Sequence, residues 1–215
     1  MTVSPPRIDR LNTADYDTGT IEQLEPDATI ELCAFHDMDL SGLDLMGIAL
    51  TECDLRSVTL EGADLTAARI ADTRLTNLRT GRLSIPRATL RNLRISNSRI
   101  GAMDLFESRI RSVVFSGCKS ELINLRGADV RDVVFRECTL GDVDLSDATL
   151  TRISFEDCTI GAIDVHRATL SSVDLRTSRI TTFRHLDGLG GAVIDNGQLA
   201  EFAAIFAAHL GVEVD

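Results

Sequence analysis

The sequence contains no tryptophan, a single tyrosine (Tyr16) and only four prolines among its 215 residues. A core without large rings has to be filled by Leu, Ile, Val and Ala packed in regular layers. Basic residues are scarce as well: 22 against 33 acidic ones, for a net charge of −11. That balance disfavours direct binding to nucleic acid or to an anionic membrane, both of which need a positive surface. No run of 18 apolar residues exists, so no membrane-spanning helix is expected. Met1–Pro6 has neither the charged start nor the apolar stretch of a secretory leader, and a cytoplasmic protein is expected. The five cysteines include no C-x-x-C pair, which fits a reducing compartment. Phosphate-cradling Gly-rich loops, G-x-S-x-G and H-E-x-x-H are all missing. The four histidines, His36, His166, His185 and His209, have no nucleophile or ligand partner at a meaningful spacing. No enzymatic activity, cofactor or metal is expected.

What is present is a period of five. From Ile30 to Ile180 there are 31 positions divisible by five, and 29 are Leu, Ile, Val or Phe; only Thr80 and Ser120 depart. Of the 31 positions two residues earlier, 27 are Ala, Val, Leu, Ile, Met or Cys, and the others are Thr73, Ser98, Ser108 and Ser178. Neither an α-helix nor a flat strand keeps apolar groups at alternating spacings of two and three over 150 residues. A second period of twenty lies on the first. Asp147–His166 (DATLTRISFEDCTIGAIDVH) aligns without a gap on Gly127–Ser146 (GADVRDVVFRECTLGDVDLS), and Cys118, Cys138 and Cys158 fall in one column.

Four pentads per unit predict a square β-solenoid. Each pentad forms one side, each corner is a turn, and the side chains at i and i−2 point inward onto the coil above. Coils stack at strand spacing, ~4.8 Å, so eight coils over 27–186 give a rod of roughly 38 Å. Open edges then remain only at the two ends.

Units such as Ala63-Asp64-Leu65, Ala128-Asp129-Val130 and Ala148-Thr149-Leu150 resemble the pentapeptide-repeat family, whose consensus is a small residue, Asp or Asn, Leu and two variable residues. The resemblance implies an all-β, right-handed quadrilateral β-helix over 28–187. Within the family the pattern is similar to the quinolone-resistance members, the plasmid-borne Qnr group and its mycobacterial relative. Those are dimeric rods proposed to mimic duplex DNA and to engage DNA gyrase. Qnr proteins carry loops between coils; no insertion occurs here between residues 28 and 183, so the layout is closer to the loopless mycobacterial type. The function this implies is a non-enzymatic DNA mimic that binds a type II topoisomerase, DNA gyrase, and modulates or protects it, giving resistance to quinolones or other gyrase poisons. The alternative is a protein-interaction scaffold with no topoisomerase role.

The ends fall outside the repeat. Residues 1–27 read as an extended arm or cap over the first coil, and 188–215 as a C-terminal helical cap. In the latter, Asp195 or Asn196 caps a helix running to about Leu210, where Gly211 stops it. Val212 and Val214 are read as a short terminal strand. Leu199, Phe202, Ile205, Phe206 and Leu210 lie mostly on one helix face, which serves as a lid on the last coil, as a homodimer interface, or as both.

Three features carry candidate chemistry. The cysteines all occupy inward positions; stacked thiols ~4.8 Å apart with parallel Cβ vectors suit neither a disulfide nor tetrahedral zinc, and act as small core residues. On the fourth side of the square the residues at i−1 are Asp44, Asp64, Ser84, Asp104, Asn124, Asp144 and Asp164. These carboxylates either bond turn backbone groups or form an anionic stripe that imitates a phosphate backbone and binds the partner. Residues 69–111 form an opposite belt, with ten arginines against three acids. It is read as a solvated face paired with Asp or as a partner surface of mixed charge.

Overall fold

A computed structural model of the chain describes residues 3–11 and 15–213. It is a β-solenoid of about nine turns with a single C-terminal helix. Strands pair in parallel with the strand twenty residues on, as in Arg99↔Lys119 and Val113↔Val133. Inward positions from Ile30 to Ile180 are buried, except Met38, Leu43, Thr80 and Ala168, which are half-buried. The rings of Phe115, Phe135 and Phe155 stack with centroids 4.7 and 4.8 Å apart and planes within 5°. These distances match the spacing of hydrogen-bonded strands.

Sequence register gives eight coils; the turn count is higher because both non-repeat ends add a strand. Asp17–Thr18 pairs with Cys33–Ala34 below the first coil, and Ala192–Val193 pairs with Val173–Asp174 above the last.

Most corners turn through a residue at i+2 with positive φ, such as Asn92, Asn97 and Glu107. The corner between the third side (Leu40, Leu60, Ile100) and the fourth (Leu45, Leu65, Leu105) differs. Gly42 and Gly62 have positive φ there, but from residue 79 onward the strands Arg79–Ser84 to Arg179–Arg184 continue through it. Successive backbones then approach closely. A Cβ on Gly101 would lie 2.4 Å from the carbonyl oxygen of Gly81, and one on Gly141 would lie 2.2 Å from that of Glu121. Hence Gly101, Gly141 and Gly161; Glu121 stands in the same column, and a Cβ on Gly81 would meet only the Glu61 side chain.

The polar residues at i−2 are buried yet satisfied. Thr73 and Ser98 each donate a hydroxyl proton to the carbonyl two residues earlier, of Ala71 (2.7 Å) and Ser96 (2.9 Å). Cysteines do the same: the Cys53, Cys118, Cys138 and Cys158 thiols donate to Thr51, Ser116, Arg136 and Glu156 at 3.3–3.5 Å. The inward thiols are therefore hydrogen-bonded equivalents of serine, and burial pushes the Cys53 thiol up to about 11.

The N-terminal segment does more than cover the first coil. Leu24 is buried and Gly19 lies tight against the Phe35 ring, closing that end. Residues 3–11, however, lie along the rod as far as its C-terminal end, running from the last coils towards the first. At the C-terminal end, helix α1 (Asn196–His209) is capped by Asp195, whose carboxylate accepts from the Gln198 N–H at 2.8 Å. The Gln198 amide donates to the carbonyls of Leu175 and Ser178, and Phe202 packs edge-on against Phe183 at 5.0 Å. Gly211 follows with φ +70°. Val212 belongs to no strand, contrary to the expectation, and Val214 lies outside the described residues.

Candidate partner-binding surfaces

The core is filled by stacked side chains, so chemistry is confined to the four outer sides and the two ends. Among the described residues no group of three or more His, Cys, Asp or Glu could hold a metal ion, and no helix is long and apolar enough to cross a membrane. All five cysteines are buried and unbridged.

The Asp column lies on the fourth side in register, one residue per coil, through the bridges Asp44↔Asp64 and Asp64↔Ser84 and the pairs Asp104↔Ser84, Asp104↔Asn124, Asp144↔Asn124 and Asp144↔Asp164. Most of these carboxylates bond their own turn. Asp44, Asp64, Asp144 and Asp164 accept the N–H two residues on, from Met46 (3.2 Å), Thr66 (2.9 Å), Ser146 (2.9 Å) and His166 (3.0 Å). This is the short-range Asx geometry that the pentad consensus exploits. Asp104 departs from the pattern, accepting instead from Asn124 Nδ2 at 2.9 Å and Arg82 at 2.9 Å.

Neighbouring side chains add further bonds. Arg126 reaches the second oxygen of Asp144 at 3.2 Å, and His185 Nδ1 lies 2.8 Å from the same Asp164 oxygen that accepts the His166 N–H. The Asp104 side chain is only 13% exposed, so little of its charge faces solvent. Ser84 and Asn124 interrupt the column, so no more than two carboxylates are adjacent and like-charge repulsion is limited.

The arginine belt is partly paired by the same device. Arg91 bonds Asp72, and Arg111 lies 3.7 Å from Asp129. Farther along the rod Arg152 clamps Asp132 with two bonds of 2.6 Å. The N-terminal coils are different. Residues 15–68 hold thirteen acids and one arginine, Arg56, which is itself bonded to Asp54. That end is an anionic tip in which acids far outnumber cations.

At the other end the five apolar residues on and just after α1 divide. Phe202 is buried in the lid, Ile205 and Phe206 are half-buried, and Leu199 and Leu210 are exposed at 51% and 75%. The helix docks through Phe202 and Gln198 and leaves Leu199 and Leu210 outward. Nothing in the sequence distinguishes these faces, because Ala200, Ala203, Ala204, Ala207 and Ala208 make the helix apolar nearly all round.

The model of the pentapeptide repeat region matches residues 101–165, and that of pentapeptide repeats in eight copies matches 44–77. No curated protein matches the chain. Among solved structures, a trypsin-treated variant of QnrB1, a plasmid-mediated fluoroquinolone resistance protein, aligns at 18% identity over 92% of this chain and 96% of its own, with a TM-score of 0.36. Full-length QnrB1 aligns at 15% identity over 83% and 100%, TM-score 0.36. HetL from the cyanobacterium Nostoc, a pentapeptide repeat protein involved in regulating heterocyst differentiation, aligns at 15% over 79% and 90%, TM-score 0.32.

Proposed function

The chain belongs to the pentapeptide-repeat family, and from that premise we propose that it is a non-enzymatic, cytoplasmic DNA mimic that binds a type II topoisomerase, DNA gyrase, and modulates or protects it. The observation that carries this reading is the anionic tip, thirteen acids against one arginine over residues 15–68. Uncompensated negative charge on a rigid rod favours a partner whose surface is built to receive DNA, which is positively charged. Asp44 and Asp64 extend that charge onto the fourth side, and Asp104, Asp144 and Asp164 continue the column past the arginine belt, in contact with Arg82, Arg126 and His185 respectively. Two rods joined through the C-terminal helices would place one such tip at each end of a homodimer. Protection of gyrase against quinolones or other poisons is the consequence implied by the resemblance to the quinolone-resistance members.

A gyrase supercoiling assay tests the reading. The native protein is expected to inhibit supercoiling, and inhibition should weaken as salt rises. Asp44→Asn with Asp64→Asn keeps the oxygens that accept from Met46 and Thr66 while removing two charges, and should weaken inhibition several-fold with the fold intact. A native protein without effect on gyrase would sink it.

A specific observation favours a second reading, an interaction scaffold without a topoisomerase role. The Arg82–Asp104 and Arg126–Asp144 pairs neutralise the middle of the column. Under this reading Asp104→Asn with Asp144→Asn is silent on gyrase, and the partner is a surface of mixed charge.

A further inference from the structure

Residues 3–11 form no strand, yet they follow a defined track along the rod. Val3, Pro5 and Pro6 share a hollow with Ser154, Glu156, Asp174 and Arg176 near the last coil. The Arg7 N–H donates to Asp132 Oδ1 and the Asp9 N–H to Ser112 Oγ, both at 2.8 Å. The Asp9 carbonyl accepts from Arg94, and the Arg10 carbonyl from Asn92 Nδ2 at 3.2 Å. Further back, the Tyr16 hydroxyl accepts from Arg74 at 2.9 Å. The arm thus descends from the last coils towards the first, against the direction in which the chain climbs.

The track is built into the solenoid. Asn92, Ser112 and Asp132 are successive corner residues of one column, twenty apart, each with positive φ. Repetition of the coil therefore sets polar groups at ~4.8 Å intervals. Beside them Val134 and Ser154, outward by their place in the pentad, are each only 5% exposed, as expected of residues under a covering segment. Half-buried Val3, Pro6, Ile8 and Leu11 alternate with exposed Arg7, Asp9 and Arg10. The four bonds from Asn92, Arg94, Ser112 and Asp132 reach only main-chain atoms of the arm. A site that holds N–H and C=O groups reads backbone shape, and tolerates variation in the side chains above it.

We propose that this track is a binding site for an extended peptide segment of a partner protein, and that the arm is its occupant in cis. The arm itself specifies the ligand class. It is an extended segment with free N–H groups at two alternate positions, apolar or proline residues between them, and basic residues on the outward side like Arg7 and Arg10. Such a segment suits a track where Arg7 adds to the positive charge acting on Asp132, while Asp132, Glu156 and Asp174 each also pair with an arginine of the rod. The arm lies outside the parallel ladders of the solenoid, so its release costs the rod none of its strand pairing. A tethered arm competes at high effective concentration, so a partner has to bind tightly or meet a loosened arm.

The test uses the full chain and a fluorescent peptide of residues 1–11. Asp9→Pro removes the N–H that Ser112 accepts and loosens the chain's own arm without touching the track. That variant should bind the wild-type peptide about tenfold more tightly than the native chain does, in line with the loss of one to two hydrogen bonds from the competing arm. Adding Ser112→Gly, which tolerates the positive φ and removes the acceptor, should reverse the gain. Circular dichroism confirms that both variants keep the β-rich fold. Equal binding by the native and Asp9→Pro chains, or a gain that survives Ser112→Gly, overturns the proposal.

Discussion

The phenyl rings of Phe115 and Phe135 lie 4.7 Å apart and within 5° of parallel, one coil above the other. Parallel rings at that centroid distance lie within the stacked range of aromatic pairs; here the coil repeat sets both the spacing and the parallel planes. Phe135 also stacks on Phe155, so its removal leaves a void bounded by rings on both sides. Phe135→Ala should cost about 3–5 kcal/mol, read as a lower urea midpoint with little change in slope. Leu145→Asp, which places an unpaired charge in the same dry interior, should prevent folding. A soluble Leu145→Asp protein with a native spectrum would overturn the inward register.

Cysteine chemistry gives a sharper test of that register. Each thiol at positions 53, 118, 138 and 158 donates to a carbonyl that Ser or Thr serves elsewhere in the rod. Cys138→Ser should therefore change stability by no more than about 1 kcal/mol. Burial holds Cys53 at about 11 and also raises Cys33, so neither thiol forms a reactive thiolate at neutral pH. A thiol reagent at pH 8 should find none of the five within minutes and all five after denaturation. Rapid labelling of the native protein contradicts the inward placement.

The inward pattern was legible in the sequence because it is the only strict requirement of the fold: every coil must bury two side chains per side. The outer features were not. Arg82 and Asp104, or Arg126 and Asp144, meet across neighbouring coils, at separations that no short motif displays. The arm's track was invisible for another reason. Asn92, Ser112 and Asp132 share a column but not a residue type, and what they bind is main chain. The lid reads as apolar, but an alanine-rich helix does not say that Phe202 faces inward and Leu199 outward.

Stability should fall in acid, and the sign follows from the turn carboxylates. The Thr66 hydroxyl and N–H hold Asp64 below the usual carboxylate range, and Arg176 does so for Asp174. Partial burial opposes the shift at Asp144, but Ser146 and Arg126 lower it on balance. A carboxyl that is more acidic folded than unfolded stabilises the native state above the unfolded value of about 4, and loses that contribution as pH falls through the folded value. Urea midpoints should be level from pH 8 to 5.5 and drop steeply below pH 4. Asp64→Asn should flatten part of that drop. A midpoint unchanged down to pH 3 would remove the argument.

The C-terminal helix makes the last prediction, and the division of its apolar residues decides which variants are informative. Phe202 seals the last coil against Phe183, so Phe202→Glu would fray the lid and report on folding, not on assembly. Leu199 and Leu210 are not among the residues packed against the core and remain exposed at 51% and 75%. If two rods meet through α1, light scattering at micromolar concentration should give the dimer mass, and small-angle scattering a particle about 75 Å long before caps, from eight coils per rod at strand spacing. Leu199→Glu with Leu210→Glu should then yield a monomer with an unchanged melting curve, because neither side chain contributes to the lid. Phe202→Glu should instead lower the melting temperature. A native protein that scatters as a monomer at that concentration leaves the helix as a lid alone.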